Sequence, residues 1–149
     1  MRALVQRVRR ASVEVGGARV GAIGPGLLIW LGVRRGDTAV EADRLADKVR
    51  ALRIFADSEG RLAEPLGDRE VLCISQFTLY GDTRRGNRPS FGEAAPAAEA
   101  EPLYERFCLR LGAQRGRFGA EMEVESVNHG PVSLLVEVDR AKPPSAPLR

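Results

Sequence analysis

Residues 26–33 read GLLIWLGV, a stretch with no charge and with apolar side chains at both strand parities. A β-strand points successive side chains to opposite sides, so such a run is stable only where both sides are covered. It predicts a buried central strand with a packed layer above and another below, and the rest of the chain has to supply those layers. Residues 3–15 alternate apolar and polar, which predicts one or two strands half buried in a sheet. A short strand is expected at 19–23, after the turn at Gly16 and Gly17.

The period then changes. Thr38 and Glu41 have the spacing of a capping box, and Ala42, Leu45, Ala46, Val49 and Leu52 follow at helical intervals. They predict a helix over 38–51, followed by a short strand at 52–55 and a turn at 57–60. EVLCISQFTLY, residues 70–80, reads as one long strand, and 81–92 as a polar loop rich in Arg and Gly. A second helix is expected over 96–111, where Pro102 predicts a late start or a kink. The last strands are expected at 121–127 and 132–138. The sum is an α+β domain over residues 1–139. Its mixed, partly barrel-like sheet is covered by two helices. The Pro-rich tail at 140–149 is expected to be disordered.

Composition fits a soluble globular chain, with 44% hydrophobic and 29% charged residues in 149. The longest uncharged stretch, 20–33, is interrupted by glycines and Pro25, which excludes a membrane span. MRALVQRVRR lacks the apolar segment of a signal peptide, and Cys73 and Cys108 lie inside apolar patterns as reduced core thiols, so the expected location is cytoplasmic. A net charge of +3 permits a nucleic-acid partner without requiring one. The arginines at 9 and 10, 34 and 35, 84, 85 and 88, and 115 and 117 form local clusters, each of which taken alone reads as solvated surface rather than as a phosphate site.

A single histidine and two separated cysteines do not make a zinc site, so no metal is expected. No phosphate-binding glycine motif is present either. A Ser75–His129–Asp82 triad can be assembled on paper, but Ser and Asp are common enough to make that match cheap. The run Ser75, Gln76, Thr78 is less ordinary. Polar side chains in a buried strand must be paired at a strand end or aimed into a pocket. A second unusual feature is the break Asn128, His129, Gly130, Pro131 between two apolar runs, which local chemistry reads as a turn.

SQFTLY at 75–80, RGNRPSF at 85–91 and NHGPVS at 128–133, together with ALVQRV at 3–8 and GLLIWLGV at 26–33, closely resemble the D-aminoacyl-tRNA deacylase family. The order of elements matches over residues 1–139. The resemblance implies a cofactor-free homodimer that cuts the ester between a D-amino acid and the terminal adenosine of tRNA; glycine, being achiral, could be cut too. It implies that Gly130 and Pro131, joined in cis, reach into the partner's site and exclude L side chains through their carbonyl oxygens, with Asn128 beside them and Arg7 bracing that loop across the dimer. Ser75, Gln76, Phe77 and Thr78 would frame the ester, with the Phe77 N–H as oxyanion donor and water attacking with help from the ribose 2′-OH. Arg88 and Pro89 would shape the adenosine end. Against the family pattern, His129 stands where a carboxylate or other polar residue is common, Ser133 replaces Thr, and Asn87 replaces a bulkier apolar residue. His129 is therefore expected to be a loop residue and not a base. Two other readings stay open: a non-catalytic RNA-binding module using the basic loop, and a small-molecule esterase using Ser75 or His129.

Overall fold

The computed structural model describes residues 1–140, and the tail beyond Arg140, for which disorder is expected, lies outside the described residues. The chain opens with β1 (Arg2–Val15), β2 (Ala18–Ile23) and β3 (Gly26–Gly32). Next come α1 (Ala39–Ala51), a small hairpin of β4 (Phe55–Ala56) and β5 (Leu62–Glu64), and β6 (Glu70–Ser75). A 3-10 turn at Phe77–Tyr80, α2 (Ala97–Leu111), β7 (Gln114–Arg115) and β8 (Glu123–Glu137) complete it.

β1 is the spine of the main sheet. β3 and β2 pair with its first and second halves along one edge, and β8 runs antiparallel along the other. β3, β6 and β7 are parallel neighbours, a pairing that needs crossovers; α1 and α2 provide them. The sheet curls until its ends approach: the Ala22 N–H donates to Gln114 Oε1 at 2.9 Å, joining β2 to β7 in a nearly closed barrel.

This geometry explains the doubly apolar run. Leu27, Ile29 and Leu31 face the helices, where they meet Leu45, Val49 and Phe107. Leu28 faces the barrel interior with Leu72, Ile74 and Val13. Adjacent Leu28 and Ile29 are 1% and 0% exposed, so each contributes on the order of 1.5–3 kcal/mol from a different core. The capping box of α1 forms as its spacing requires, with Thr38 Oγ1 accepting from the Val40 N–H and Glu41 Oε2 accepting from the Thr38 N–H. α2 begins directly after Pro96 and runs through Pro102, whose missing N–H leaves the Ala98 carbonyl without its helical donor.

Three expectations fail. The strand predicted at 70–80 stops at Ser75, because β3 ends at Gly32 and offers no further ladder partner. The last bond of the ladder is from the Gln76 N–H to Leu31 O, at 2.8 Å; the chain then coils, with Leu79 and Gly81 donating to Gln76 O and Thr78 O. Gly32 permits this, since a Cβ there would lie 3.1 Å from Leu79 Cβ and the Tyr80 ring. The strand expected at 52–55 is displaced to Phe55–Ala56, because Leu52 caps α1 and donates back to Lys48 O.

The third failure is the break at 128–131. It is not a reversal between two strands: 121–127 and 132–138 belong mostly to one strand, β8. Asn128 lies opposite Val8 and Ser133 opposite Gln6, so residues 129–132 stand against Arg7 alone. The break is a large bulge, four residues against one, that projects from a continuous strand, a device that re-aims side chains and backbone.

Candidate active site

The parallel pair β3 and β6 ends beside the start of α2, and a pocket of about 670 Å³ opens there. The strand ends contribute Trp30, Val33, Ile74, Ser75, Gln76 and Phe77; α2 and its approach contribute Ala95, Ala97 and Ala100, and the segment leading into β8 contributes Phe118 and Met122, with Val124 from the start of β8 itself. Its size suits a small ligand, and its walls are mainly apolar with a few polar groups at one end.

The polar end follows from the strand stop. The first bond inside the 3-10 turn runs from Leu79 to Gln76, so the Phe77 and Thr78 N–H groups precede it, and no side chain caps them. Gln76 Nε2 donates to Thr78 Oγ1. Phe77 is 55% exposed and meets Phe91 edge to face at 5.1 Å, which ties the 82–92 loop to the rim of the pocket.

Arg2 holds the other end of this turn. Its Nη1 donates to Leu79 O at 2.7 Å, its guanidinium lies 4.5 Å from the Tyr80 ring centre, and it pairs with Glu137. Tyr80 is buried beneath it, and burial raises its hydroxyl pKa. The turn is thus fixed by Arg2 from β1 and by Gly32 from β3.

The bulge is a separate construction. Asn128, His129, Gly130 and Pro131 are exposed, the Gly130-Pro131 bond is cis, and Gly130 has φ +126°. Arg7 fastens it: Nε donates to His129 O and Nη1 to Ile54 O, both at 2.9 Å. Arg7 is 8% exposed, and among the described residues its hydrogen bonds go to carbonyl groups alone. Hydrogen bonds from a buried charge are worth about 1.5–3 kcal/mol each, so the brace is substantial. It lies within one chain, where the resemblance implies bracing across a dimer.

The structure therefore gathers Ser75, Gln76 and Phe77 in one pocket, with Thr78 adjoining. Gly130, Pro131, Asn128 and Arg7 lie elsewhere, and none of them lines it. Arg88 and Pro89 are on an exposed loop tip outside the lining. The paper triad does not form, since Asp82 is held by Arg84 Nε and Nη2 at 2.9 and 2.7 Å while the His129 carbonyl, not its ring, is anchored to Arg7. Cys73 is no alternative nucleophile, because burial pushes its thiol pKa well up. Sequence reasoning missed Phe118 and Met122, although an aromatic between Arg117 and Gly119 was a usable signal. For the alanines of the α2 wall there was none, because a small residue only becomes a wall once the helix is docked.

A family model described as D-Tyr-tRNA(Tyr) deacylase matches residues 4–137. The chain belongs to the D-aminoacyl-tRNA deacylase family. It is 52% identical over 147 residues to a D-aminoacyl-tRNA deacylase of Symbiobacterium thermophilum, covering 94% of this chain and 97% of that protein. A D-aminoacyl-tRNA deacylase of Roseiflexus castenholzii is 55% identical over 144 residues, 92% of each chain. Among solved structures, the c-Myc DNA Unwinding Element Binding Protein superposes with a TM-score of 0.88 at 39% identity, covering 94% of this chain and all of that one. A probable eukaryotic D-amino acid tRNA deacylase shares the fold, with a TM-score of 0.75 at 16% identity. The deacylase fold here is the sheet-rich, nearly closed barrel with two covering helices described above.

Proposed function

We propose that this chain hydrolyses the ester of D-aminoacyl-tRNA, and of glycyl-tRNA, as a cytoplasmic homodimer in which the 128–131 bulge of each subunit closes the pocket of the other. The observation that carries this reading is the separation of the two parts. Arg7, at the bulge, lies opposite Leu27, whereas the pocket begins on β3 at Trp30, three positions further on and roughly 10 Å away. An open pocket and an exposed projection that do not meet within one chain suit a reciprocal two-fold pairing.

In this arrangement the adenine of the terminal nucleotide lies in the apolar part, against Trp30, Phe118 and Met122, as unstacked bases usually do. The scissile carbonyl meets the Phe77 N–H, which stabilises the developing oxyanion. Thr78 has no base beside it, so water is the nucleophile, assisted by the ribose 2′-OH. The carbonyl oxygens of Gly130 and Pro131 take the substrate α-amino group and leave no room for an L side chain, which is selection by exclusion. Ser75 and Gln76 complete the polar end. Asn128 flanks the bulge, and Arg88 and Pro89 act from outside the pocket on the RNA leading into it.

The test is a paired hydrolysis assay on one tRNA charged with the D or the L form of the same amino acid. Rapid loss of the D ester with survival of the L ester is expected. Equal loss of both would leave an esterase without a chirality filter. Loss of neither, by folded protein, would favour nucleic-acid binding without catalysis, the reading to which the name of the DNA Unwinding Element Binding Protein lends some weight.

A further inference from the structure

The loop at 82–92 is a closed, preformed structure. Asp82 and Ser90 exchange both backbone hydrogen bonds, at 2.7 and 2.9 Å. Asp82 Oδ1 also accepts from the Arg84 N–H at 3.0 Å, and Gly86 turns the tip with φ +64°. The base of the loop is fixed to the pocket rim by the Phe77–Phe91 contact.

Its charges are distributed unequally. Asp82, the one acid between positions 82 and 92, is consumed by Arg84, whose guanidinium holds the carboxyl pKa down to about 2. Among the described residues Arg85 and Arg88 form no ion pair, and both are exposed at the tip. Arg35, at the base of the loop, donates through Nε to Gly92 O and forms no ion pair among the described residues, while Glu93 is taken by Arg34. Beyond Phe118 the balance differs, because Arg115 and Arg117 line an open groove together with Glu101 and Glu105. The loop on the Phe77 side therefore carries three arginines against one acid, whereas that groove holds equal numbers of cations and acids.

We propose that Arg85 and Arg88, supported by Arg35, hold the phosphodiesters of the single-stranded RNA that precedes the terminal adenosine. This rests on the deacylase reading and adds to it a division of labour. The pocket takes the nucleoside and the ester, and the loop takes the phosphates, supplying affinity for tRNA with no part in the chemistry. Guanidinium groups suit this task, since they present several donors to a phosphate at once.

The experiment compares two substrates on the same protein: D-aminoacyl-tRNA and a 3′-O-(D-aminoacyl)adenosine, which carries no phosphate. The R85E variant should raise KM for the tRNA about tenfold or more with kcat little changed, while hydrolysis of the aminoacyl-adenosine stays as in the unaltered chain. Each phosphate contact on a single strand contributes a slope of about 0.7 to the dependence of log affinity on log salt, so R85E should flatten the salt dependence by about that amount. R85K, which keeps the charge, should recover most of the affinity. Unchanged tRNA kinetics in R85E would overturn the proposal, and so would an equal loss on both substrates. If the unaltered chain cleaves neither substrate, the deacylase reading fails instead.

Discussion

Two stretches leave regular strand geometry inside one sheet, residues 75–80 at the end of β6 and residues 128–131 within β8, and they do so in opposite senses. The first loses its ladder partner, coils inward over Gly32 and becomes the wall of a cavity. The second keeps its partner on both sides, and the excess of residues is pushed outward as an exposed bulge. Each is then fixed by an arginine of β1, Arg2 for the turn and Arg7 for the bulge. One strand thus positions both halves of the proposed site, the hollow and the projection, at separate points along its length. A concave part and a convex part built on a single scaffold strand are held at fixed spacing, which is what reciprocal insertion in a two-fold dimer would demand.

The contrast can be broken most severely at the bulge. At φ +126° an L side chain is strained, and a Cβ on Gly130 would lie 2.9 Å from Arg7 Nη2. Gly130→Ala should displace the projection and reduce single-turnover hydrolysis of the D ester about 100-fold, the scale expected for an ångström of misplacement. Ala120 lines the pocket just before β8, and mixing this variant with the pocket-filling Ala120→Trp sharpens the comparison. If the parts act across the dimer, the mixed species regains one intact site and part of the activity, whereas parts that act within one chain would leave the mixture as inactive as its components.

A smaller effect is expected at the turn. Arg2→Met removes the bond to Leu79 O and the cation over Tyr80 without touching the pocket lining. The loss of a charged hydrogen bond is worth about 1.5–3 kcal/mol in place, part of which the turn recovers by relaxing. We expect kcat to fall about tenfold, with KM and the D/L ratio nearly unchanged, and Arg2→Lys to restore part of it. A change confined to thermal stability would make Arg2 a merely structural residue.

The smallest effect is at His129, whose ring pKa is lowered below 6.5 chiefly by the charge of Arg9, then by desolvation and by Arg7. A lowered folded value means that the folded chain favours the neutral ring, so the associated stability is present above 6.5 and is lost as the pH falls through the lowered value. His129→Ala should therefore leave D-ester hydrolysis within about twofold at pH 7, and its melting temperature should match the unaltered chain at pH 8 and slightly exceed it at pH 5. An esterase triad through His129 would instead lose nearly all activity on this change.

How far the sequence reads can be argued from these same places. GLLIWLGV required two covered faces, and the structure provides two cores because alternation allows nothing else for such a run. The capping box at Thr38 and Glu41 marked the start of α1, since both partners lie within one turn of chain. Ser75, Gln76 and Phe77 stood out because polar groups at the end of a buried strand need a use. All of these are local signals, carried by neighbours in sequence.

The tertiary structure decided the rest. Nothing within EVLCISQFTLY says that the strand must stop at Ser75; the stop is dictated by where β3 runs out, far earlier in the chain. Nothing within NHGP separates a turn from a bulge, because that depends on whether both flanks find the same partner, and that partner, β1, lies at the other end of the sequence. The alanines of α2 became a pocket wall, and Arg2 a brace, only once the elements docked. Periodicity and capping are properties of a few consecutive residues and can be read from them, whereas pairing, termination and enclosure are properties of the partner and appear only when the partner is in place.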